Sequence, residues 1–179
     1  MNWMDQIGGM LQQYTGAGAQ AAPSGVHDDF DQFAQAAPQS AIADGLAAAF
    51  RSNDTPPFPQ MLGQLFGQSN GQQRAGILNT LISAVGPTVL AQIMARHGGG
   101  GGGLAGILGG SQQEVSPEAA QQVSPEAVQE IAQHAEQRDP SIIDTMSGIY
   151  AAHPQLIKTL GAAALTVALA KIASAQQGR

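Results

Sequence analysis

Proline decides where ordered segments can begin in this chain, and the tandem stretch VSPEAAQQVSPEAVQE, residues 115–130, shows how. In Ser124-Pro125-Glu126 the serine suits an N-cap, the proline fits the first helical position, where a missing N–H is no loss, and the glutamate meets the positive end of the helix dipole. Val123 and Val128 stand at the N′ and N4 positions of a hydrophobic staple. Val115-Ser116-Pro117-Glu118 is a first copy of the same start, cut short when Pro125 arrives. Asp139-Pro140 and His153-Pro154 open two further helices, and Pro87 opens another directly after Gly86. Pro38 and the stiff turn NDTPPFP, residues 53–59, separate the segments before them.

Between these marks the apolar residues recur with the helical period. Ile42, Leu46, Ala49 and Phe50 share a face, as do Phe58, Met61, Leu62, Leu65 and Phe66. Leu78, Leu81, Ile82 and Val85 form a third stripe, introduced by Ser69 and Gln72 as a capping box, and Val89, Leu90, Ile93 and Met94 a fourth. No segment alternates with the period of a strand. The expected fold is all-α, with two small helical units joined by a glycine-rich tether and an amphipathic helical arm at the N-terminus.

The expected boundaries follow from composition. Residues 1–14 are the arm, with Trp3, Met4, Ile7, Met10, Leu11 and Tyr14 on one stripe. Gly8 and Gly9 weaken that helix, each by about 1 kcal/mol relative to Ala. Residues 15–27, opening TGAGAQAAPSG, have the composition of a flexible linker. Residues 28–97 form the first helical domain, residues 98–112 the tether HGGGGGGLAGILGG with its flanks, and residues 113–179 the second unit. The tether lacks the Gly-Lys-Ser/Thr of a P-loop and the preceding strand of a dinucleotide fingerprint, so no cofactor is expected there.

The opening MDQIGGML, followed by apolar helices and a Gly-rich linker, resembles the uncharacterised YidB-like proteins of bacteria, over the N-terminus and loosely over residues 61–96. The resemblance implies a small helical fold and a bacterial source, and it brings no catalytic residues. The C-terminal half departs from that pattern. There DPSIIDTMSGIYAAHPQLIKTLGAAALTVALAKI looks like segments of other bacterial proteins.

Charge excludes some partners. Charged residues make up 11% of the chain, against roughly 25% in ordinary soluble domains. The net charge is −6, and the seven cations, Arg51, Arg74, Arg96, Arg138, Lys158, Lys171 and Arg179, are scattered singly. Nucleic-acid binding and attraction to anionic lipid both rest on clustered cations, so neither is expected. There is no cysteine, which excludes disulfides and thiolate chemistry. MNWMDQIGGM has neither the basic nor the apolar region of a secretory signal, so the expected location is cytoplasmic.

Candidate chemistry is thin. Glu130 and His134 lie one turn apart, with Asp139, Asp144 and His153 in the same unit. A di-metal bundle needs paired Glu-x-x-His motifs, whereas Glu-x-x-x-His occurs once here, so no metal is expected. His27, Asp28, Asp29 and Asp31 lack the length and the closing Glu of a calcium loop and suit an acidic helix start. No nucleophile motif is present, and the chain is expected not to be an enzyme.

Two apolar ends remain. TLGAAALTVALA, between Lys158 and Lys171, holds no charge, but as a helix it spans about 18 Å, short of the roughly 30 Å of a bilayer core. Leu160, Leu165, Val167, Leu169 and Ile172 cover several faces, which demands burial on most sides. The sequence therefore predicts a structural protein that assembles with itself, using Trp3, Ile7, Met10, Leu11 and Tyr14 of the arm with those five C-terminal residues. A peripheral membrane or adaptor role for the same ends is the alternative, an enzyme of unknown class is the third option, and for the last helix a place in the core of its own unit is the plain reading.

Overall fold

The computed structural model describes residues 2–15, 24–97 and 114–177, without the side chains of Met4, Gln176 and Gln177. Most of the expected linker and the whole of the expected tether, residues 98–112, lie outside the described residues. The described residues form eleven α-helices and no strand, so the fold is all-α. In chain order they are α1 (Trp3–Gln12), α2 (Val26–Ala36), α3 (Gln39–Phe50), α4 (Phe58–Gln68), α5 (Gly71–Val85), α6 (Pro87–Arg96), α7 (Pro117–Gln121), α8 (Pro125–Arg138), α9 (Ile142–Ala151), α10 (Pro154–Ile157) and α11 (Ala162–Gln177), with a 3-10 turn at Lys158–Leu160 before the last.

The starts at Pro87, Pro117, Pro125 and Pro154 form where the local chemistry dictates, whereas the helix expected from Asp139-Pro140 begins at Ile142. Ser116 and Ser124 accept from the backbone N–H groups of Ala119 and Ala127 at 3.3 and 3.2 Å. Val123 and Val128, at the staple positions, are both buried. One cap is shifted by a residue. Asn70, not Ser69, closes the box at the start of α5: its side chain accepts from Gln73 N at 3.0 Å, and the Gln73 side chain accepts from Asn70 N at 2.9 Å. Ser69 instead turns its hydroxyl back to the Leu65 carbonyl at 2.7 Å, finishing α4.

The helices sort into two compact units, and the division differs from the contiguous one expected. The first unit takes Met1–Pro57 together with Asp144–Arg179, and the second takes Phe58–Ile143. The expected domain 28–97 is therefore split at Pro57, and the expected C-terminal unit is split inside α9. Residues 98–112 join α6 to α7 within the second unit rather than linking one unit to the other. Long-range packing overrides chain order: α3 pairs with α11, and α4 pairs with α8.

Glycine enables both pairings. A Cβ on Gly45 of α3 would stand 2.3 Å from Ile172 Cδ1 of α11, and a Cβ on Gly63 of α4 would stand 2.6 Å from Gln129 Cγ of α8. Without a side chain at either position, Ile172 and Gln129 keep the places they hold; any larger residue would push them aside.

In the second unit Phe58, Met61, Leu62, Leu65 and Phe66 of α4 are all buried, with Leu78, Leu81 and Val85 of α5 and Val128, Ile131 and Ala132 of α8. Arginines finish the helix ends. Arg74 donates through Nε to the Phe66 and Ser69 carbonyls and through Nη2 to that of Gly67, with its guanidinium 5.0 Å from the Phe66 ring centroid. Arg138 donates to the Val85 carbonyl at 2.8 Å. Carbonyls that a helix C-terminus leaves without partners are thereby satisfied. In the first unit the bidentate Arg51–Asp144 pair, 2.8 and 2.7 Å, joins the end of α3 to α9.

Candidate self-association surface

The arm is a docked helix of the first unit. α1 packs against both α2 and α11, and Ile7, Leu11 and Tyr14 are buried there. Trp3 is half-buried, its ring edge-on to Phe33 at 6.1 Å, and Phe33 in turn lies 6.4 Å from Phe30. The chain end of the arm is held by one carboxylate. Asp29 Oδ2 accepts from the Tyr14 hydroxyl at 2.5 Å and from Gln13 Nε2 at 2.9 Å. Burial first, and then the hydrogen bond to Asp29, push the Tyr14 phenol well above its usual range. Asp28 and Asp29 occupy the first turn of α2, the acidic start read from the sequence.

The greasy C-terminal stretch is not one helix. Gly161, at φ +90°, separates the 3-10 turn from α11. Residues Pro154–Leu160 and Ala162–Ala175 meet at a bend of 117°. Leu160 therefore precedes the final helix. Leu165, Leu169 and Ile172 are buried, as are Ala164, Ala168 and Ala173. Their cover comes from α1, α2 and α3 of the same chain. A buried-all-round helix is thus satisfied inside its own unit once both chain ends contribute to that unit. Lys158 adds an ion pair to Asp31 of α2 at 2.6 Å.

Of the ten residues expected to join chains, Ile7, Leu11, Tyr14, Leu165, Leu169 and Ile172 are internal core. The premise that a local unit cannot cover them fails because that unit is larger than the contiguous segment. Trp3, Met10, Leu160 and Val167 remain half-exposed. They lie on α1, the 3-10 turn and α11, and α11 packs against both other elements. Asp29 was read only as a helix start. Its role in holding the arm had no signal in the sequence, because the pairing with Tyr14 crosses the expected linker.

The polar candidates are tied to neighbours. Glu130 of α8 accepts from Arg96 Nη1 at 2.6 Å and pairs with His97 Nε2 at 2.7 Å, which fixes the end of α6. His97, then Arg96 and His134, hold its carboxyl below the usual range. Asp144 pairs with Arg51, Asp139 accepts from Ser141 N at 3.0 Å, and His153 stands before Pro154 at the start of α10. Among the described residues no group of three His, Asp or Glu is arranged to hold a metal ion. Among them, too, no single helix is long and apolar enough to cross a membrane, although two bent helix pairs pass by length and composition together.

No protein-family model matches the chain, and no curated protein and no solved structure is similar to it.

Proposed function

We propose that this chain is a non-enzymatic structural protein of a bacterial cytoplasm that works by associating with further copies of itself. The single observation that supports this is the placement of Trp3, Met10, Leu160 and Val167. These four apolar side chains stay partly open to water on three elements that pack together, in a chain whose sparse charge does little to hold copies apart. The YidB-like opening MDQIGGML is in keeping with a bacterial source.

Solution mass by light scattering over a range of concentrations tests the reading. Met10→Asp and Val167→Asp are the informative variants, since both positions keep contact with water. Aspartate at Leu165 or Leu169 would bury an unpaired charge and test folding instead. A species larger than the monomer that dissociates in the two variants supports assembly, and a monomer at every concentration overturns it. Flotation with lipid vesicles separates the membrane-associated alternative, because protein that rises with vesicles belongs to that class.

A further inference from the structure

We infer that α1 is an exchangeable arm, seated in assembled protein between α2 and α11 of a second copy of this chain. The inference rests on the self-association reading above and names its route. The cleft between α2 and α11 is a formed receptor for one amphipathic helix. It takes Ile7, Leu11 and Tyr14, sets Phe33 against Trp3, and presents Asp29 to Tyr14 and Gln13. Every copy carries the same arm and the same cleft, so a second arm meets the same apolar surface and the same acceptor.

The arm holds its own shape poorly. Asn2 gives it no side-chain cap, and Gly8 and Gly9 lie in its interior. A Cβ at either glycine would meet nothing within 4 Å, so no packing contact requires them. They lower helix stability and leave the arm reliant on the cleft. The sequence that joins the arm to α2, GAGAQAAP over residues 16–23, offers no apolar side chain larger than alanine or proline to bury.

Exchange preserves every arm–cleft contact, which makes it a low-cost route to association. A tethered arm competes for its own cleft at an effective concentration in the millimolar range. Exchange therefore prevails where a second contact already gathers copies, and Val167 lies half-exposed on α11, one wall of this cleft. A lipid surface fits the arm less well, because its polar face carries Asp5 and glutamines and no Lys or Arg.

The chain has no native cysteine, so introduced thiols report only on themselves. Gln13→Cys and Asp29→Cys are placed in separate full-length chains, mixed at a concentration where association is seen, and mildly oxidised. Exchange predicts a linked heterodimer several-fold above the like-with-like products of either chain alone, and equal yields overturn it. Both substitutions in one chain, oxidised when dilute, lock the arm at home. That locked chain should keep only the weaker association of the second contact and recover the rest, several-fold, on reduction.

Asp29→Cys removes the acceptor of Tyr14, so a second variant keeps the cleft intact. Gly8→Ala with Gly9→Ala should slow subunit exchange between labelled and unlabelled chains several-fold, and an unchanged rate counts against a released arm. Association in the locked chain as strong as in the reduced chain overturns the exchange alone. A native chain that never associates overturns both the exchange and the assembly reading. Phosphatidylcholine–phosphatidylglycerol vesicles that float the reduced but not the locked chain would assign the arm to lipid and overturn the second copy as its occupant.

Discussion

Helices α1 and α4 are close to the same length, ten and eleven residues, and each carries an apolar stripe interrupted by two glycines. The glycines act in opposite ways. Gly63 of α4 is buried where α8 crosses, and its missing side chain is the space that Gln129 occupies. Gly8 and Gly9 of α1 face open space, so they weaken the helix without improving its docking. The same residue type at similar helical positions makes one helix part of a close-packed core and leaves the other marginal.

Truncating a matched leucine in each helix should break or keep that contrast most visibly. Leu62→Ala, in the core of the second unit, is expected to cost about 2–5 kcal/mol, read as a fall in the denaturation midpoint of that unit. Leu11→Ala removes the same atoms from the arm, yet it should cost no more than the arm's own docking. Its signature is a red shift of Trp3 fluorescence below the main transition, since Trp3 is the only tryptophan. Equal midpoint losses in the two variants would erase the distinction.

Tyr14→Phe removes the hydrogen bond to Asp29 and should loosen the arm by about 1.5–3 kcal/mol, the range for bonds to a charged partner. Faster amide exchange over residues 3–12, with the second unit unchanged, is the expected reading. Alanine at the glycines should act unequally in the two helices. Gly8→Ala should steady the arm by about 1 kcal/mol. Gly63→Ala should gain less than that, because its Cβ lands where the Gln129 side chain lies and that side chain must move aside. Chemical denaturation of the pair decides it, and equal gains would refute the packing role of Gly63.

The smallest effect concerns the α6–α8 tie. Glu130 is held below its ordinary value by His97 and Arg96. A depressed carboxyl adds stability that is present above its unfolded pKa and is lost as pH falls through the folded one. Glu130→Gln should therefore cost up to about 1 kcal/mol at neutral pH. That cost should vanish in acid, below the carboxylate range, and a difference that persists there would point to packing rather than charge.

Local chemistry was legible in the sequence and long-range pairing was not. Ser116, Ser124, Pro87 and Pro125 act through neighbours within four residues, and each starts a helix where read. The box at Asn70 lay one residue from its expected place because Ser69, Asn70, Gln72 and Gln73 all have suitable side chains, and only the turn of α4 selects among them. The split at Pro57 falls in the turn NDTPPFP, but nothing local showed that this turn divides two units, since that depends on Gly45 meeting Ile172 from the other end of the chain. For the same reason the apolar residues of α11 were read as needing a second copy. Of the ten candidate contact residues, only Trp3, Met10, Leu160 and Val167 keep exposed area, which depends on which helices cover them and not on their own identity.

The division of the chain also sets a timetable for its synthesis. Phe58–Ile143 can complete its contacts as soon as that stretch has left the ribosome, whereas α2 and α3 must wait for α11. The segment made later thus matures first, reversing the usual N-terminal-first order for domains emerging from the ribosome. During that wait α2 and α3, which carry the buried Phe30, Phe33, Leu46 and Phe50, lack the helix that both pack against. A released chain cut before residue 160 would hold one unit with all its contacts and one with its apolar residues unshielded.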